Sequence, residues 1–256
     1  LTLSFCPYCA ISKLHKKPYK TDKSKPSTIY RKNFNSKKHT DKRNLFKKKQ
    51  TSTESTNISM YGNYRPGEYI VVDLKHMPKS IHGDEYLCVF TCLSTRLSES
   101  VYLKTRLASE FLDHYKNYCK HIRNKTGNYP KYLHSDNGKE FIEKCTSEFN
   151  KQKGIKHTYT SPHSSLQNPV AERINRTLGE GCLALLLCAG LPLMFWVYGV
   201  TFFSFVKNRT PHKSLSFSNP IAAWNIFNTH RSSIDLYDLR IFGAEAYVLD
   251  ENSLKN

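Results

Sequence analysis

Carboxylates are scarce in this chain. Only 21 Asp and Glu face 39 Lys and Arg across 256 residues, a formal net charge of +18. A surplus of that size argues against a cationic partner and for a polyanion. Disulfide scaffolding is missing too, although there are eight Cys. Cys88, Cys92, Cys119, Cys145, Cys182 and Cys188 fall inside apolar strand or helix patterns, where Cys behaves as a small hydrophobe, so a reducing compartment is expected. Nor is there an unbroken run of membrane length. Residues 181–206 lack any charged side chain, yet Gly190 and Pro192 interrupt them, which predicts two buried helices joined by a tight turn rather than a span. No signal-peptide pattern is read, and a chain opening on Leu1 is read as part of something longer.

The positive charge is unevenly placed. Residues 1–56 hold fifteen Lys and Arg against Asp22, Asp41 and Glu54, a net of +12, so the other two hundred residues carry only +6. With few aliphatic residues between its runs of Lys, Ser, Thr and Asn, this stretch buries too little apolar surface to offset its ordering entropy. It is expected to be a disordered basic arm. About six phosphate contacts from such an arm would lower affinity roughly a thousandfold between about 50 and 200 mM salt. Lys37-Lys38, Lys42-Arg43 and Lys47-Lys48-Lys49 also have the make-up of a nuclear import signal. Near the start, Cys6 and Cys9 in FCPYC have the spacing of half a structural zinc site, which needs two further ligands. His15 and His39 follow in a lysine-rich stretch without supporting hydrophobic residues.

Beyond the arm, the hydrophobic period switches between 2 and 3.6. EYIVVDL (68–74), EYLCVFTCLS (85–94) and ESVYLKT (99–105) read as strands of an antiparallel meander, the first two joined by a turn at His82-Gly83-Asp84. Apolar residues recur at helical spacing from Ala108 to about Lys125, and KYLHS (131–135) is then a strand reached by a crossover, hence parallel to the first. Lys139 to Lys153 reads as one amphipathic helix and IKHTYT (155–160) as a fifth strand. A long helix starts at Pro169, a residue suited to a first turn, with Asn168 as its cap. This order predicts an α/β chain with a ribonuclease-H-like mixed five-stranded sheet flanked by helices.

In that fold three acidic residues converge. Asp73 ends the first strand, Asp136 follows the fourth just before a turn-forming Asn137-Gly138, and Glu172 lies near the start of the long helix, 35 residues separating the last two. Any one of them alone is an ordinary strand-end or helix acid. Three together repel, raise one another's pKa and bind hard divalent cations such as Mg²⁺ or Mn²⁺; a pair of such ions serves in-line displacement at a phosphodiester.

The succession VVDLKHMP, LHSDNGKEF, GIKHTYTSPHSSLQNPVAERINRTL, LPLMFW, KNRTPHKS, NPIAAW and FGAEAYV resembles the integrases of copia-type LTR retrotransposons, in the retroviral integrase superfamily. The likeness runs from about Tyr69 to the C-terminus and is most specific from Asp136 to Leu178. It implies that Asp73, Asp136 and Glu172 are the catalytic triad holding two Mg²⁺ (or Mn²⁺) ions for DNA strand transfer. It further implies that the loop His157 to Pro169 is a mobile active-site loop. Ser164, Ser165, Gln167 and Asn168 would contact DNA there, with Asn137 beside the second aspartate and Arg173 and Arg176 on backbone phosphates. His134 and His163 have no part in such chemistry. FCPYCAISKLHKKPY resembles the second half of the family's zinc-binding module, whose two histidines would precede Leu1, so Zn²⁺ at Cys6 and Cys9 requires residues upstream.

The organisation expected is a partial zinc-knuckle-like module over 1–20, a basic flexible linker over 21–62, a catalytic core over 63–230 and the start of a C-terminal region over 231–256. By resemblance the partners are double-stranded DNA (LTR ends and target), further copies of the chain and the reverse transcriptase of the same polyprotein, with no membrane. The setting is the nucleus and a cytoplasmic virus-like particle. Two departures from the family pattern stand out: Pro169 where Gly is common, and Cys92-Leu93 in place of an acidic pair. They leave an alternative reading, a catalytically inactive nucleic-acid-binding remnant. A ribonuclease H shares the fold and the metals, but the sequence around Glu172 resembles integrase instead.

Overall fold

Alternation along Tyr69–His76 decides how the centre of the molecule is built. In this strand, β1, Ile70 and Val72 point to one side and are fully buried, while Asp73 belongs to the other. The computed structural model describes Cys6 and residues 64–160, 169–215, 218–225 and 239–245. The basic arm expected to be disordered, together with Cys9, His163, Ser164, Ser165, Gln167 and Asn168, lies outside the described residues.

Five strands form one sheet in the order β3-β2-β1-β4-β5. β2 (Tyr86–Cys92) and β3 (Ser98–Leu103) extend β1 as the expected meander, and β4 (Tyr132–Ser135) and β5 (Lys156–Tyr159) run parallel on its other side. The fourth strand reaches β1 through helix α1 (Ala108–Thr126), the crossover that a parallel pair requires. Gly127 ends α1 at φ 78°, a left-handed cap whose N–H is donated to the carbonyl of Arg123. One face of the sheet receives Phe111, Tyr115, Tyr118 and Ile122 of α1, and Phe90 stacks on Tyr118 at 4.4 Å between ring centroids. Buried rings of this size are a large part of the driving force, and offset stacking adds about 0.5–1.5 kcal/mol per pair.

The helix expected from Lys139 to Lys153 is two helices. α2 (Lys139–Ile142) and α3 (Lys144–Lys153) are separated by Glu143, whose ψ of 154° is extended. The break lets Phe141 meet the edge of Phe111 at 4.8 Å while Phe149 packs on Tyr115 at 5.5 Å.

The opposite face of the sheet carries the long helix α4 (Pro169–Ala189) and α5 (Trp196–Arg209), with a short 3-10 turn at Leu193–Phe195 between them. Leu87 and Val89 pack here against Ile174, Leu178, Cys182, Leu186 and Trp196. Gly190 and Pro192 therefore separate two buried helices, as the sequence predicts. No helix among the described residues is long and apolar enough to cross a membrane. The last helix among the described residues, α6 (Pro220–Asn225), inserts Trp224 into the α1 side of the core.

Candidate active site

The parallel pairing of β1 and β4 brings the two aspartates alongside each other. Val71 is opposite His134, so continuing the register by two residues aligns Asp73 with Asp136. α4 crosses the same edge of the sheet and presents Glu172 in its first turn, where the helix dipole favours a carboxylate. Asp73 is partly buried, whereas Asp136 and Glu172 are exposed.

Charge and hydrogen bonding tie these groups together. Burial pushes the Asp73 carboxyl above its ordinary range, and the neighbouring charges of Asp136 and Glu172 push it the same way. Two hydrogen bonds oppose that rise. Asn175 donates its Nδ2 to Asp73 Oδ2 at 2.8 Å, and the Leu74 amide donates to Oδ1 at 3.0 Å. Asp136 is set in its turn by the Gly138 amide, donated to Oδ1 at 3.0 Å. Behind it, the Ser135 hydroxyl donates to the Asp136 carbonyl at 2.8 Å and lies 2.9 Å from Nε2 of His157, whose pKa is lowered to about 4 by burial and by His134.

The donor set suits a hard divalent cation: all oxygen, acidic, and open to solvent on two of its three members. The three carboxylates share one electrostatic field without closing to ligation distance. Among the described residues, no group of three or more His, Cys, Asp or Glu side chains is close enough to hold a metal ion.

Other residues singled out in the sequence fall in varied places. Asn137 donates Nδ2 to the carbonyl of Thr160 at 2.8 Å, tying the turn after β4 to the end of β5. Arg173 and Arg176 are exposed on α4, and Cys6 is exposed. His157 to Tyr159 belong to β5, so the first residues of the loop expected over His157 to Pro169 are strand instead, and residues 161–168 lie outside the described residues. In place of the family's acidic pair, the buried Cys92 accepts the Gly67 amide through Sγ at 3.3 Å.

Two contributors were not foreseen. Asn175 is 4% exposed and lies one turn beyond Glu172, on the helix face that meets β1. Its i, i+3 spacing from Glu172 was a legible signal. Its Oδ1 is buried without a partner, which costs about 1–3 kcal/mol. The second is Glu140, 2% exposed, whose Oε1 accepts Nε and Nη2 of Arg106 at 3.0 and 2.9 Å. Arg106, with a side chain 57% exposed, also feels the charge of Asp136.

Comparison with known proteins agrees with this fold. Residues 63–165 match the family model described as Integrase core domain, a span that holds Asp73 and Asp136 and ends just before Glu172. The chain is 30% identical over 169 residues to the "Retrovirus-related Pol polyprotein from transposon TNT 1-94" of Nicotiana tabacum, covering 66% of this chain and 12% of that protein. It is 28% identical over 164 residues to the "Truncated transposon Ty1-A Gag-Pol polyprotein" of Saccharomyces cerevisiae, covering 62% of this chain and 14% of that one. The chain thus spans only 12–14% of the length of these curated relatives. In three dimensions it resembles a chain of the simian T-cell lymphotropic virus intasome, solved with PP2A regulatory subunit B56 gamma. The TM-score is 0.53 at 16% identity, covering 73% of this chain and 61% of that chain, a likeness of fold. Mixed sheet and sequence relatives point the same way: residues 63–165 match an integrase core domain, within a chain similar to retrotransposon Pol polyproteins.

Proposed function

We propose that this chain catalyses divalent-metal-dependent DNA strand transfer, inserting element cDNA into host DNA. The observation that carries the reading is the placement of Asp73, Asp136 and Glu172 on β1, the β4 turn and α4, with Asp73 coupled to both others. In the reaction, the 3′-hydroxyl oxygen of an element end bonds to a target phosphorus while the bond to the target's own 3′-oxygen breaks, and that oxygen leaves with a proton. Asp73, Asp136 and Glu172 are the residues that would hold two Mg²⁺ or Mn²⁺ ions. When bound, such ions supply activation of the attacking hydroxyl and stabilisation of the leaving oxygen. The chain's own part is positioning. Asn175 and the Leu74 amide fix the Asp73 carboxylate, Gly138 fixes that of Asp136, and Arg173 and Arg176 offer exposed cations to backbone phosphates.

In this reading the partners are element ends, target DNA, further copies of the chain and the reverse transcriptase of the same polyprotein. The chain works in the nucleus and in a cytoplasmic particle. The basic linker adds sequence-independent affinity, and Cys6 and Cys9 hold Zn²⁺ only with histidines supplied upstream.

The test is to incubate the chain with a labelled duplex carrying LTR ends and a target plasmid, with Mg²⁺ or Mn²⁺, beside Glu172→Gln. Joined products that vanish in the variant while duplex binding persists support strand transfer. Strand transfer undiminished in Glu172→Gln sinks the reading, and salt-sensitive binding without products in the unaltered chain points to a non-catalytic remnant.

A further inference from the structure

We propose that Arg106 grips a backbone phosphate of the DNA strand lying along the carboxylate edge, and that Glu140 is the residue that positions its guanidinium for the task. Resting on the strand-transfer reading above, this gives the strand beside Asp136 its anchor.

The topology brings Arg106 to that edge. Leu103, Tyr86 and His76 stand in one row across β3, β2 and β1, so the chain leaves β3 on the same side of the sheet as it leaves β1 and β4. From there Arg106 reaches α2: its Nε and Nη2 donate to Glu140 Oε1 at 3.0 and 2.9 Å, a contact across 34 residues of sequence. Glu140 folds back over the turn that carries Asp136. A β-carbon on Gly138 would lie 2.6 Å from that same Oε1, and the Gly138 amide donates to Asp136 Oδ1. Arg106, Glu140, Gly138 and Asp136 form one connected run, and the charge of Asp136 is felt at Arg106.

Holding α2 against α1 does not require this pair. Phe141, next in the chain, already does so by meeting the edge of Phe111 at 4.8 Å. An ion pair with one member sunk to 2% exposure adds little net stability over apolar packing, because desolvating the carboxylate offsets the attraction, although losing one partner is costly. What the pair supplies is alignment. A guanidinium carries five N–H donors in a rigid fork, and Glu140 takes one from Nε and one from Nη2, so three remain, on a side chain that is 57% exposed.

Glu140 balances the charge of Arg106, so this arginine does not draw DNA from a distance. It presents a fixed fork to a phosphate delivered by other contacts, and planar arginine forks match phosphate oxygens bidentately. Its position suits a strand that crosses the edge. Arg173 and Arg176 are exposed on α4, which covers one face of the sheet, while Arg106 leads into α1, which covers the other. Exposed arginines therefore stand on both sides of the carboxylates.

Arginine footprinting of the full chain tests this. Modification by phenylglyoxal is followed by mass spectrometry in Mg²⁺, with and without a duplex whose 3′ ends lack hydroxyls, so that binding is read without chemistry. Exposed Arg123, at the far end of α1, is the reference. The expected result is Arg106 slowed at least about tenfold by the duplex and Arg123 unchanged. In Glu140→Gln, which keeps the cation and frees its fork, that protection should largely disappear. Arg106→Lys keeps the charge against Glu140, and it should hold its melting temperature while losing about tenfold in joined products per bound duplex. Unchanged Arg106 modification overturns the proposal, as does equal protection by polyglutamate or full strand transfer in Arg106→Lys. Full protection in Glu140→Gln overturns the positioning role of Glu140. The two readings fail separately: protection without joined products from ordinary ends leaves the phosphate contact standing and sinks strand transfer, and joined products without protection do the reverse.

Discussion

Asn175 and Asp73 are joined by a 2.8 Å hydrogen bond that links α4 to the central strand across 102 residues of sequence. Because Glu172 sits one turn earlier on the same helix, this bond sets the separation of two of the three carboxylates at once. Replacing Asn175 by Ala is expected to reduce metal-dependent strand transfer about 10–100-fold, the usual cost of losing a residue that orients a ligand. Titrating activity against Mg²⁺ locates the loss. A weaker apparent metal affinity with a largely recoverable maximum is the signature of misplaced Asp73.

Asp73→Asn isolates the repulsion. The Asp73 pKa is raised, chiefly by burial and then by neighbouring acids, so its contribution to stability is full when the carboxyl is protonated and is lost as pH rises through the folded pKa. Without divalent ions at neutral pH, the Asn variant should therefore melt above the unaltered chain. That gap should narrow toward acid and on adding Mg²⁺ to the unaltered chain. Thermal scans at pH 3 to 8 check both.

Removing Arg106 leaves Glu140 as a buried carboxylate without its cation. Arg106→Ala is expected to cost about 2–3 kcal/mol, less than a fully buried pair because the arginine is more than half exposed. Adding Glu140→Gln should restore part of that loss, as measured by denaturant unfolding of the two single variants and the double.

Lys207 makes a prediction of opposite sign to an ordinary surface lysine. Its pKa falls from 10.5 to about 8, mainly through burial and then through Arg96, so the penalty is complete below about pH 8 and disappears as pH approaches 10.5. Stability attributable to this residue should rise with pH across that window. The rise should be missing in Lys207→Met when melting temperatures are followed from pH 7 to 10.

At the crossing of α4 and α5, a β-carbon on Gly181 would overlap the ring of Phe203. Gly181→Ala gains about 1 kcal/mol in helix propensity and loses about 1–3 kcal/mol to overpacking, so a net destabilisation of about 1 kcal/mol is expected. Denaturant unfolding of Gly181→Ala in a Phe203→Leu background should recover most of it.

Much of this was legible because strands and helices leave different periods. The alternation in YIVVDL separates Ile70 and Val72 from Asp73, and that alone assigns Asp73 to one face of a strand. The meander, the crossover and the Pro169 start of α4 likewise follow from local patterns. The break at Glu143 left no local mark, because it is set by where Phe141 and Phe149 find partners on α1. Arg96 and Lys207 were equally hidden, since nothing near either residue shows that a turn after β2 and the end of α5 would meet.

The parallel pairing of β1 with β4 also governs when this chemistry becomes available. Tyr69 pairs with Tyr132 only after the intervening meander and α1 have been made, and Asp73 meets Asn175 later still in the chain. Contacts this distant are slow to close, so the reactive edge is among the last features to form as the polypeptide emerges. A nascent chain halted before residue 169 holds every strand of the sheet but has no α4, so in the reading proposed above it lacks one of the three carboxylates that would hold metal.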